Sequence, residues 1–268
     1  MSIGLAAVVL LAIGILGALI LVLAAHFLHV PEDERVGLVQ ACLPGANCGA
    51  CGYAGCADYA KAIVEGAPVN KCVPGGAKTA QEAAQIMGVE AGTVAKRKAI
   101  VACQGNYSNT QDKYEYEGIE SCSACAALYA GHAACEYGCL GYGDCVKACA
   151  FGAITVVNGL AHVDQDKCTG CGACEQACPK KVIWIRPEGE KPIVMCANHD
   201  RGALTRKACS AGCIGCMKCE KNCPADAIHV NNNVARVDYD KCTGCGKCEE
   251  LCPVHAIAIL RATPKAQG

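Results

Sequence analysis

The sequence predicts an α+β chain. It has one amino-terminal transmembrane helix, a small cysteine-rich domain, and two tandem cysteine-rich modules of short strands and helices. Three observations predict this. From Ile3 to Val30 no Asp, Glu, Lys or Arg interrupts an apolar run. Cysteine makes up 26 of the 268 residues, and most of them fall two to four residues apart. The carboxy-terminal half repeats itself, so that Cys168 and Cys242, or Asn158 and Asn232, stand 74 residues apart. The formal net charge of −1 gives no reason to expect a nucleic-acid partner.

Residues 1–30 read as a membrane anchor. A spanning helix needs about 20 apolar residues, and this run exceeds that. A cleaved signal peptide would carry a basic start, and Met1-Ser2 offers none. Gly14, Gly17 and Ala18 form a small-residue stripe where another membrane helix can approach closely. His26 and His29 read as interfacial polar residues rather than haem ligands. Pro31 closes the helix, and Glu32 to Arg35 sit in water. The many free thiols call for a reducing compartment, so the body of the chain belongs on the cytoplasmic side of the cell (inner) membrane.

Residues 31–75 form the next unit. Cys48, Cys51 and Cys56 follow C-x2-C-x4-C, and Cys72 stands sixteen residues on. Gly49, Gly52 and Gly55 let the backbone wrap closely round a bound group. A thiolate-only donor set at this spacing selects a soft metal, above all a 4Fe-4S cluster. ADYAKAIVEGA reads as a short helix between the third and fourth thiols, and Cys42 is left over. Residues 76–120 read as a helical linker and connection. Within it Lys96, Arg97 and Lys98 read as a solvated face.

The repeats occupy 121–194 and 195–268. CTGCGACEQACP supplies Cys168, Cys171, Cys174 and Cys178; CTGCGKCEELCP supplies Cys242, Cys245, Cys248 and Cys252; CIGCMKCEKNCP supplies Cys213, Cys216, Cys219 and Cys223. C-x2-C-x2-C-x3-C-P is the bacterial ferredoxin run, whose fourth Cys ligates the other cluster of a pair. Each repeat is therefore ferredoxin-like. Short strands AITVV (153–157) and AIHV (227–230) lead into Asn-containing turns, a hairpin signal.

The first copy departs from the pattern. CLGYGDCVKACA keeps Cys139, Cys145 and Cys149, but Tyr142 stands where Cys216 stands in the second copy. One site needs another thiol. Cys122 and Cys196 match across the repeat, as do Cys135 and Cys209. The expectation is that these four converge on one cluster between the modules and that Cys103 completes the site of Cys139, Cys145 and Cys178. Two alternatives stay open: the extra thiols are free, or Cys135 completes that site itself. Five or six 4Fe-4S clusters follow, the sixth leaving only Cys42 and Cys125 spare.

A secreted disulfide scaffold does not repeat C-x2-C-x2-C, and structural zinc sites separate their Cys pairs by a longer spacer. With nine Tyr, two Phe and one Trp, the small cores must be filled by clusters. No phosphate loop or acid–base constellation stands out. Lys180, Lys181, Arg186 and Lys191 are candidate cations for steering an acidic donor.

The anchor, the LPGANCGACGYAGC segment and the paired ferredoxin motifs together resemble the B-subunit of the Rnf complex, in the extended form of anaerobic bacteria. The resemblance covers nearly the whole chain. It implies an electron-transfer component of a membrane-bound ferredoxin:NAD+ oxidoreductase that couples electron flow to Na+ or H+ translocation. Soluble ferredoxin would be the donor, and other subunits of the membrane complex would bind flavin and NAD. It also implies that Cys48, Cys51, Cys56 and Cys72 hold the first cluster. The rival is a membrane-tethered polyferredoxin serving a hydrogenase or reductase without ion coupling.

Overall fold

The computed structural model describes residues 3–27 and 33–260. Helix α1 (Ile3–Phe27) carries the apolar run, and its described side chains are exposed, Leu10 at 70% and Leu21 at 72%, but for half-buried Ala24. Counting described residues only, no helix is long and apolar enough to cross a membrane. Several α1 side chains and all of 28–32 lie outside the description. The span expected over Ile3–Val30, with His26 and His29, therefore rests on the sequence.

Asp33, Glu34 and Arg35 are exposed as expected, and from Glu34 the chain is helical. In α2 (Glu34–Cys42) Asp33 caps the amino end, accepting from the Arg35 amide at 2.9 Å. Such a cap satisfies one of the first-turn amides that have no helical partner. Helix α2 packs with α3 (Cys56–Val64) and α4 (Gly76–Met87) around Val39, Tyr59, Ile63 and Ala83. Tyr59 is 1% exposed; its hydroxyl donates to the Pro68 carbonyl at 2.7 Å and accepts from the Lys71 amide at 3.0 Å. Burial pushes its pKa up to about 12. Tyr59→Phe would remove two part-buried hydrogen bonds, each worth about 0.5–1.5 kcal/mol. The denaturant midpoint of this domain should fall accordingly; an unchanged midpoint would mean the bonds are made equally well by water.

The helical reading of residues 75–99 stops at Gly88, which ends α4 in the left-handed region at φ 66°. The chain then forms β1 (Arg97–Val101), antiparallel to β4 (Ile183–Pro187) with Ile100 opposite Trp184. Arg97 and Lys98 are thus strand residues, and Lys98 Nζ donates to the Gln165 and Cys168 carbonyls at 2.6 and 2.8 Å. Local sequence could not supply this, because β1 exists only through its distant partner.

Between β1 and β4 the first module places α5 (Cys122–Ala126), α6 (Asp144–Lys147), β2 (Ile154–Val157), β3 (Leu160–Val163) and α7 (Ala173–Ala177). Strands β2 and β3 form the expected hairpin, with Asn158 and Gly159 at φ 52° and 75°. Both central residues at positive φ is the twist-matched two-residue turn. The second module repeats the plan with β5 (Pro192–Val194), α8 (Gly202–Ala208), α9 (Lys218–Lys221), β6 (Ile228–Asn231), β7 (Val234–Val237), α10 (Lys247–Glu250) and β8 (Ile257–Ile259). Here β5 pairs with β8, and β6 with β7 across Asn232-Asn233.

Each module therefore has two two-stranded sheets and a core in which thiols stand among Ala, Val and Ile. The modules are joined by direct contacts. Thr110 Oγ1 donates to the Ala208 carbonyl at 2.9 Å, and Gln104 Nε2 to the His255 carbonyl at 2.9 Å. The Arg236 guanidinium lies over the Trp184 ring at 4.2 Å.

Candidate metal centres

In the amino-terminal domain the four expected thiols come together. The Cys72 thiol is pushed up by burial and then by nearby Cys56, Cys51 and Cys48. Gly49 and Gly52, at φ 70° and 89°, make the left-handed bends that the run of thiols requires. The Asn47 side chain accepts from the Cys56 amide at 2.8 Å and so fixes the start of α3.

In the first module one cavity is lined by Cys149, Cys168, Cys171 and Cys174. This is the crossed pattern of the ferredoxin run, three thiols from one motif and the fourth from the other. A second cavity is lined by Cys122, Cys139, Cys145 and Cys178. In the second module Cys223, Cys242, Cys245 and Cys248 line the counterpart of the first. Cys213, Cys216 and Cys219 stand together, and Cys252 packs on the same core where Cys178 stands in the first copy.

The remaining cavity lies between the modules. Its thiols are Cys103, Cys135, Cys196 and Cys209, with Cys139 on its wall. The lining differs from the expected set by one member: Cys103 lines this cavity where Cys122 was expected, and Cys122 lines the one beside Tyr142. The reason is visible in Asp144. Its carboxylate accepts from Ser121 Oγ, the Ser123 amide and Ser123 Oγ at 3.0, 2.9 and 3.0 Å. That clamp holds the start of α5, and with it Cys122, over the 142–144 backbone. The Tyr142 ring turns away to stack on Tyr116 and His132, each at 5.5 Å. The second copy has Lys218 in place of Asp144, so Cys196 is not held this way. The clamp was legible as that one repeat difference, but only geometry gives it meaning.

Amides face many of these sulfurs. Ala99 donates to Cys168, Ala153 to Cys149, Ala227 to Cys223 and Ala256 to Cys252, at 3.3 to 3.4 Å. Cys103 receives the Gly105 and Cys139 amides at 3.2 and 3.4 Å. Asn198, 1% exposed and not foreseen from sequence, donates its side-chain amide to Cys135 at 3.4 Å and its backbone amide to Cys196 at 3.5 Å. Burial pushes the Cys103, Cys145, Cys174 and Cys219 thiols up to about 12, and Cys196 and Cys248 to about 11.

Two thiols have other partners. Cys42 donates to the Leu38 carbonyl at 3.3 Å. Cys125, fully buried, meets His132 Nδ1 at 3.4 Å, and His132 Nε2 faces Asp112 at 3.4 Å. The candidate steering cations are largely engaged internally. Lys180, Arg186 and Lys191 donate to the carbonyls of Ala130, Gly189 and Tyr239, and Arg186 is 4% exposed. They are bracing groups, not a free patch.

Among the described residues no three such side chains converge tightly enough for a single ion. A single zinc would hold its sulfurs at about 2.3 Å; a cluster sets them farther apart around iron and sulfide. Four thiols round a small cavity and amides aimed at sulfur fit 4Fe-4S clusters; Asp144, the one carboxylate on these linings, is engaged by Ser121 and Ser123.

Comparison with known proteins agrees. Residues 43–74 match a putative Fe-S cluster family, 161–184 a 4Fe-4S binding domain, and 208–259 a 4Fe-4S dicluster domain. The B-subunit of the Na(+)-translocating ferredoxin:NAD(+) oxidoreductase complex of Acetobacterium woodii is 47% identical over 241 residues, 87% of this chain and 72% of that protein. The proton-translocating counterpart of Clostridium ljungdahlii is 45% identical, over 86% of this chain and 82% of its own. The B-subunit of the ion-translocating oxidoreductase complex of Methanosarcina acetivorans is 42% identical, over 87% and 89%. With its iron–sulfur domains and these relatives, the chain belongs to the B-subunit family of the ion-translocating ferredoxin:NAD+ oxidoreductase complexes, whose role is electron transfer.

Proposed function

We propose that this chain relays single electrons along six 4Fe-4S clusters, from a soluble ferredoxin toward the membrane subunits of its complex. When bound, such clusters supply outer-sphere one-electron transfer, with potentials set by burial and hydrogen bonds to sulfur. The observation that carries the reading is that Cys139 lines two neighbouring cavities and that thiols of the other successive sets stand near enough to raise one another electrostatically.

At the amino-terminal end, the Cys48 thiol is raised by burial and also by nearby Cys171. Cys145 and Cys174 adjoin across the first module. Cys139 lines both its own cavity and the one between the modules. Cys196, in that cavity, adjoins Cys213, and Cys219 adjoins Cys248. The row thus starts in the second module and ends in the domain that follows α1. The apolar run from Ile3 to Val30, which includes α1, exceeds the about 20 residues a span needs. We place it in the membrane, with the thiol-bearing part on the reducing, cytoplasmic side.

The test is Cys51→Ala in the assembled complex. Reduced ferredoxin should still bleach the clusters of the two modules, while delivery to the membrane subunits stops. Loss at both ends alike would mean that the segment supports the fold and does not conduct. Purification of the chain free of polytopic membrane proteins would favour an uncoupled polyferredoxin instead.

A further inference from the structure

The two modules share their paired strands and cysteine motifs, yet the second carries on one face a helix and charges that the first lacks. We infer that the face built by α8, the 213–217 loop and α9 is the docking surface for a small acidic one-electron carrier protein. This rests on the proposed role as acceptor of electrons from ferredoxin, and it names where the donor sits.

Sulfur comes to the surface here. Among the described cysteines only Cys216 and Cys245 are exposed. Electron transfer between proteins needs a short path, so a donor gains most by covering an exposed ligand. Around Cys216, Arg201, Arg206, Lys207, Lys218 and Lys221 are all exposed. Helix α8 is held against the loop: a Cβ on Gly202 would stand 2.5 Å from the Ile214 carbonyl oxygen. Among the described residues none of these five side chains has an ion-pair or hydrogen-bond partner. Glu220, on the same helix as Lys218 and Lys221, is turned to the Val230 amide at 3.1 Å. Between the cations Leu204 and Met217 are 54% and 41% exposed. An apolar centre with a charged rim is the usual anatomy of a protein interface.

The repeat supplies the control. At the matching positions the first copy has Ala127, His132, Ala133 and Asp144. Only Lys147 is basic there, and it bonds the Glu120 carbonyl at 3.3 Å. Tyr142 takes the place of exposed Cys216. The first copy thus does without four of the five charges and the exposed thiol, and its residues 128–134 form no helix where the second copy has α8. Fixed positive charge beside an exposed ligand steers an acidic partner and orients it.

The experiment reverses three charges, Lys207→Glu, Lys218→Glu and Lys221→Glu, in the full chain with its clusters. Reduction by an acidic two-cluster ferredoxin is followed by stopped flow. At about 10 mM salt, where the Debye length is about 30 Å, the rate constant should fall about tenfold or more. Near 1 M, where it is about 3 Å, variant and parent should converge. Iron content and visible absorbance should match the parent. A reversal elsewhere, Lys78→Glu, Lys96→Glu and Lys181→Glu, should leave the low-salt rate within about twofold, since those charges lie off the docking face. Equal rates at low salt for parent and first variant would overturn the surface. So would an unchanged ferredoxin rate with lost co-sedimentation on phosphatidylserine vesicles, which would assign the face to the membrane. A parent chain that ferredoxin does not reduce at all would overturn the acceptor role itself.

Discussion

Cys122→Ser and Cys103→Ser should each remove one cluster, but different ones, and only the first should be rescued by Tyr142→Cys. The Cys122 thiol lies with Cys139, Cys145 and Cys178 over the backbone of Tyr142 to Asp144. Its removal leaves three thiols there, and iron should fall by about four atoms from a total near 24 if all six sites fill. Tyr142 occupies the position of Cys216 in the second copy. A Cys at 142 therefore restores the ordinary ferredoxin run and should return the lost iron in the Cys122→Ser background. Cys103→Ser empties the cavity shared with Cys135, Cys196 and Cys209, and Tyr142→Cys should not repair it. Iron and sulfide analysis of the four variants decides the matter. Rescue of Cys103→Ser by Tyr142→Cys would return Cys103 to the Tyr142 site and undo the assignment.

Gly170→Ala should cost the cluster site of Cys168, Cys171, Cys174 and Cys149. Gly170 lies at φ 71°, and a Cβ there would stand 2.2 Å from the Arg97 carbonyl oxygen and 2.6 Å from its carbon. Backbone cannot yield as a side-chain tip would. Strand β1 is moreover tied to this loop, through Lys98 to the Cys168 carbonyl and through the Ala99 amide to the Cys168 sulfur. The left-handed conformation alone costs a non-glycine residue about 1–2 kcal/mol, and overpacking adds about 1–3 kcal/mol. Gly172→Ala separates the two terms. It too has positive φ, 83°, but its Cβ would meet nothing closer than 3.9 Å. Gly170→Ala should lower iron content and melting temperature; Gly172→Ala should lower the melting temperature slightly and keep its iron. Equal behaviour of the two would show that the approach of β1 is not tight.

The sequence by itself determined the chemistry and most of the local structure. The ferredoxin runs named twelve thiols and their crossed allocation, because four ligands on a few residues leave a cluster little freedom. Asn158-Gly159 specified a hairpin through the positive φ that both residues accept at low cost. The 74-residue offset identified the extra thiols as paired across the copies. Tertiary structure alone decided what depended on distant partners. It gave Cys122 to the Tyr142 site through the Asp144 clamp, and Cys103 to the cavity between modules, because residues 104–110 reach across to Ala208 and His255. It turned Arg97 and Lys98 from a presumed linker into β1, since a strand is made by the neighbour it pairs with. It also buried Arg186 and tied Lys180 and Lys191 to backbone carbonyls, since a charge in the sequence says nothing of which carbonyl its nitrogen will find. Ligand spacing within a motif is a property of the chain, whereas convergence of thiols more than a few turns apart is a property of packing.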